Sequence, residues 1–112
     1  MTQHISRLLT FLDASPVNFL AVDTLKTQLE TAVFHLRDMR RSMPSLKAGD
    51  TFFVTKNDSS LYAFRLGNKP LSEGFHLICA HCDSPTFRIK PNAELRSHGM
   101  LRLNTEVYGC PI

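Results

Sequence analysis

The sequence predicts a mixed α/β fold on three observations. Two segments near the N terminus carry apolar residues at helical spacing, two aromatic and β-branched runs flank a cluster of turn formers, and a short apolar run precedes further alternating segments. Helices followed by strands exclude an all-α or all-β class.

Over residues 4–13, Ile5, Leu8, Leu9 and Leu12 share one helical face. Ser15 and Pro16 then suit an N-cap and a first helical position. The stripe Leu20, Val22, Leu25, Leu29, Val33 predicts a second helix over 16–31. Pro44 and Gly49 punctuate a loop before the next pattern. Thr51-Phe52-Phe53-Val54-Thr55 and Leu61-Tyr62-Ala63-Phe64-Arg65-Leu66, around Lys56-Asn57-Asp58-Ser59-Ser60, predict a β-hairpin. Phe75-His76-Leu77-Ile78-Cys79-Ala80 predicts a strand covered on both faces, with the Cys79 thiol packed as a small hydrophobe. Asp83-Ser84-Pro85 ends it, and Thr86-Phe87-Arg88-Ile89-Lys90 and part of Met100–Tyr108 alternate as strands.

With 112 residues, 43% of them hydrophobic, the chain suits one small domain or a piece of a larger one. No apolar run reaches the roughly 18 residues of a membrane span, and the first residues lack the apolar block of a signal peptide. A cytoplasmic protein without membrane contact is expected. The net charge of +3 comes from scattered basic residues, the densest being Arg37, Arg40, Arg41 and Lys47, interrupted by Asp38. No basic stripe with interleaved aromatics marks a nucleic-acid partner. Three cysteines, Cys79, Cys82 and Cys110, are an odd number and argue against a disulfide framework.

Ala80-His81-Cys82-Asp83-Ser84-Pro85 holds the chemistry. In an extended segment residues i and i+2 point the same way, so the His81 imidazole and the Asp83 carboxylate can meet. A carboxylate that accepts the spare imidazole N–H fixes the tautomer and strengthens the ring as a metal ligand. By itself the spacing is a weak signal.

Several collinear blocks carry a more specific one. Phe11-Leu12-Asp13-Ala14-Ser15-Pro16 with Phe19-Leu20-Ala21-Val22, Phe53-Val54-Thr55-Lys56-Asn57-Asp58-Ser59, Ala80-His81-Cys82-Asp83-Ser84-Pro85 with Arg88-Ile89-Lys90-Pro91-Asn92, and Leu103-Asn104-Thr105-Glu106-Val107-Tyr108-Gly109 span nearly the whole chain. In that order they resemble the N-terminal part of the aspartyl aminopeptidase family of zinc metallopeptidases. Leu20 stands where the family usually has His, Cys82 where it has Thr, Cys110 where it has Gly, and Val33 where Gly commonly precedes Phe34. These departures point to a divergent member.

The resemblance implies an enzyme that removes Asp or Glu from peptide N termini, using two divalent metal ions, usually zinc, held in an α/β sandwich. It implies His81 as a metal ligand and Asp83 as the catalytic-site carboxylate that orients it. Residues 1–90 would be the first part of the catalytic domain, and residues 91–112 the first strands of an inserted β-rich assembly domain. It further implies peptide substrates and a homo-oligomer for the intact protein. The bridging carboxylate, the general base and the remaining ligands come later in the family's sequences, so the 112-residue chain alone is expected to be inactive.

Two other readings compete. Cys79, Cys82 and Cys110, with His81 or His98, offer donors for a structural zinc, but no second closely spaced pair accompanies the first. The hairpin and basic surface also suit a binding or assembly module without catalysis. His4, His35, His76 and His98 have no partner at ligand spacing and are expected to face solvent or serve structure.

Overall fold

The computed structural model describes residues 2–109. They form α1 (Thr2–Ala14), α2 (Asn18–Thr31), β1 (His35–Leu36), β2 (Thr51–Lys56), β3 (Ser60–Arg65), a short 3-10 turn (Leu71–Glu73), β4 (Thr86–Ser97) and β5 (Met100–Tyr108). The mixed α/β expectation holds. Two compact units divide at Cys82/Asp83. No helix among the described residues is long and apolar enough to cross a membrane.

In the first unit β2 lies between β1, parallel to it, and β3, antiparallel. The predicted hairpin is present: Asn57 and Asp58 take positive φ at its turn, a conformation these short polar side chains tolerate. Its central strand makes the core. Phe53 is fully buried, Phe52 and Val54 nearly so, and α2 contributes Ala21 and Val22. The Phe52 and Phe64 rings stack with centroids 4.9 Å apart. The two-residue β1 escaped the sequence reading because it is too short to show a period. Nearby, Asp38 accepts hydrogen bonds from the Arg40 backbone amide and guanidinium, which hold its carboxyl below the usual range.

Helix α2 begins at Asn18 rather than Pro16. Ser15 is buried and its amide donates to the Leu12 carbonyl, so it closes α1 instead of capping α2. At the other end, Val33 N–H donates to the Glu30 carbonyl and Phe34 N–H to the Leu29 carbonyl, a Schellman closure that puts Val33 at φ +63°. A left-handed conformation costs an L residue about 1–2 kcal/mol, whereas glycine adopts it freely at an entropic cost of about 0.5–1 kcal/mol. Val33 is exposed and forfeits little packing. Val33→Gly is therefore expected to stabilise this unit by up to about 1 kcal/mol, read as a higher denaturant midpoint; an unchanged or lower midpoint would count against the strain.

The strand expected at residues 75–80 is not formed. The segment has no regular structure, and Phe75, Leu77 and Ile78 are 76, 73 and 96% exposed. Cys79 is exposed too, not packed as a small hydrophobe. A strand apolar on both faces needs neighbours and cover on both sides. Among the described residues of its unit no strand pairs with it.

The second unit is a two-stranded antiparallel ribbon. His98 and Gly99, both at positive φ, link Ser97 to its partner Met100 in the tight turn that suits a right-twisted hairpin. The register slips between Ile89 and Glu94, where Pro91 lacks an amide to donate and Asn92 takes φ +56°. β4 thus runs through position 91 as one bulged strand. The pairing puts Phe87, Ile89, Leu101, Leu103 and Val107 on one face, all exposed.

Candidate metal centre

His81 lies near the end of the first unit, in an exposed segment without helix or strand that continues the apolar run. Asp83 opens the second unit and is exposed. Cys82 between them is half-buried. His4, His35, His76 and His98 are all exposed, as expected.

In the second unit Asp83 is contacted from the end of β5. Thr86 pairs with Tyr108, which brings the last residue of β5 level with the first of β4. From there the Tyr108 hydroxyl donates to Asp83 Oδ1 at 3.0 Å. That hydrogen bond, and then the carboxylate's charge, raise the Tyr108 hydroxyl above the ordinary phenol pKa, and the Arg88 charge opposes them. Arg88 lies diagonally across the ribbon on the same face, its Cζ 4.3 Å from the centre of the Tyr108 ring. Gly109 follows at φ +87°, and a Cβ there would stand 2.8 Å from the Ser84 carbonyl oxygen. Only glycine lets the two backbones approach so closely.

In the sequence Tyr108 stands out only as part of a family block. Its link to Asp83, 25 residues away, depends on a strand register that no local pattern reveals.

The donors suit zinc in kind but not in number. A neutral imidazole is a good zinc ligand and a carboxylate a good partner for it, yet catalytic zinc takes about three protein ligands plus water. Among the described residues no three His, Cys, Asp or Glu side chains are gathered to hold an ion. This counts equally against the thiol-based zinc module for Cys79 and Cys82; Cys110 lies outside the described residues.

The chain is 48% identical over 103 residues to the probable M18 family aminopeptidase 2 of Pseudomonas paraeruginosa (strain DSM 24068 / PA7), covering 91% of this chain and 24% of that protein. It is 46% identical over 110 residues to the protein of the same name from Clostridium novyi (strain NT), covering 96% of this chain and 25% of that one. The chain thus spans about a quarter of the length of these relatives. Among solved structures, it matches a chain of the Ape4 and Nbr1 complex with a TM-score of 0.84 at 35% identity, over 93% of this chain and 20% of that one. Aminopeptidase I from Borrelia burgdorferi B31 shares the fold, with a TM-score of 0.72 at 20% identity, over 96% of this chain and 28% of that one. The profile of the aminopeptidase I zinc metalloproteases (M18) matches residues 11–112, and the chain belongs to that family.

Proposed function

We propose that this chain is the first part of a metal-dependent aminopeptidase that removes Asp or Glu from peptide N termini, and that His81 is one ligand of its two-zinc centre. The observation that carries this reading is the family match across residues 11–112, which includes the His81-Cys82-Asp83 segment. When bound, the metal pair would supply an activated water and polarise the scissile carbonyl. His81 would donate one imidazole nitrogen to an ion, and Asp83 would accept a hydrogen bond from the other nitrogen to hold the ring in one tautomer. The remaining ligands and the general base would come from sequence beyond these 112 residues.

The same reading makes residues 1–90 catalytic-domain sequence and residues 91–112 the start of an inserted assembly domain in a cytoplasmic homo-oligomer. An isolated two-stranded ribbon is marginally stable, and the apolar face of Phe87, Ile89, Leu101, Leu103 and Val107 calls for a cover. The similar chain among solved structures was determined within the Ape4 and Nbr1 complex.

The test compares the full-length polypeptide with the 112-residue chain on peptides whose N-terminal residue is Glu, Asp, Leu or Lys. The full-length protein is expected to release Glu and Asp at least about 10-fold faster than the others, a preference that one well-paired charge can supply. The isolated chain is expected to release none. Equal rates on Leu would overturn the acidic specificity, and turnover by the isolated chain would overturn the incomplete site.

A further inference from the structure

We propose that Cys79 and Cys82 form a redox-sensitive pair: a hydroperoxide joins them in a disulfide that bends the chain around His81 and weakens its hold on the metal. The effect on the metal rests on the reading of His81 as a zinc ligand; the disulfide does not.

Cys79 is exposed, Cys82 is half-buried, and both are free thiols of the first unit. They stand three residues apart, with Ala80 and His81 between them. Residues 79–82 lie in neither helix nor strand. Among the described residues, Cys79, Ala80 and Cys82 take part in no hydrogen bond, so no ladder fixes their backbone. In an extended segment the Cα atoms of residues i and i+3 lie about 10 Å apart, beyond the roughly 7 Å that a disulfide spans. A β-turn brings the same atoms within about 7 Å, and a type I turn accepts most residues at its two central positions. Those positions would be Ala80 and His81. The reduced pair permits either conformation, and the disulfide permits only the turn. The zinc-ligand reading takes His81 from an extended segment, where side chains alternate in direction, and a turn breaks that alternation. Disulfide and zinc thus favour different conformations of the same four residues, and each weakens the other.

The chemistry balances with one hydrogen peroxide as oxidant. The exposed Cys79 sulfur attacks the O–O bond and becomes a sulfenic acid, and one water leaves. The Cys82 sulfur then attacks the Cys79 sulfur, the S–S bond forms, and the sulfenic oxygen leaves as a second water. Two electrons and two protons pass from the thiols to the peroxide.

The experiment treats the full-length polypeptide, stripped of zinc, with hydrogen peroxide. It then maps by mass the peptide that carries both cysteines and measures zinc affinity by chelator competition. That peptide is expected to lose two hydrogen atoms, and the oxidised protein to bind zinc about 10-fold more weakly, within the usual range of coupling between two sites. A phosphine reductant, removed before the measurement, is expected to restore both. Cys79→Ser and Cys82→Thr are each expected to keep their zinc affinity through the same treatment. Failure of the disulfide to form within that peptide would overturn the proposal, as would an equal loss of zinc in either variant. If the disulfide forms and zinc affinity stays, His81→Ala shows which reading fails. Zinc lost in that variant means that the bend does not displace the ligand, and zinc kept means that His81 is not one.

Discussion

His81→Ala in the full-length polypeptide is expected to lower both bound zinc and kcat/KM, the latter by at least about 100-fold. Removing only an outer partner of a metal ligand already costs about 10–100-fold, and here the ligand itself is lost. Elemental analysis of the purified variant and initial rates on a Glu-initiated peptide check the two effects together. His76→Ala is the matched control, since His76 lies in the same exposed segment and is expected to change neither. Asp83→Asn should fall between them, because an amide oxygen still accepts from the imidazole but carries no charge. If His81→Ala kept its full complement of zinc, the assignment of the centre would have to be abandoned.

Phe53→Ala should have the largest effect on stability, about 3–5 kcal/mol. Phe53 is fully buried on the central strand, between β1 and β3, with Val22 of α2 the other fully buried large side chain. The first unit has only five buried hydrophobic residues among those described, so the resulting cavity has few neighbours able to close it. Hydrogen exchange of the β2 amides reads the loss within this unit, where protection should fall by roughly two to four powers of ten. Phe64→Ala, on exposed β3, should cost distinctly less despite deleting the same side chain. Similar losses at the two positions would mean that the core lies elsewhere.

How legible each element was depended on how local its cause is. The hairpin around Asn57 and Asp58 could be read residue by residue, because alternation and turn chemistry act within a few positions. Both helices were legible for the same reason, but the start of α2 was not. Ser15 is a plausible cap by type, and only packing decided that it would be buried and bonded backwards to Leu12. Val33 shows the reverse case. Its place where relatives commonly have Gly was visible as an oddity, and the left-handed closure of α2 explains it.

By itself, then, the sequence determined the mixed class, the hairpin and the family, since periodicity, turn residues and collinear motifs are properties of neighbours along the chain. Tertiary structure decided the rest. It left the apolar run at 75–80 without a sheet, because a doubly covered strand exists only where other strands flank it. It also joined Tyr108 to Asp83, because register between distant strands is settled by pairing energy summed along the whole ribbon, which no single residue announces.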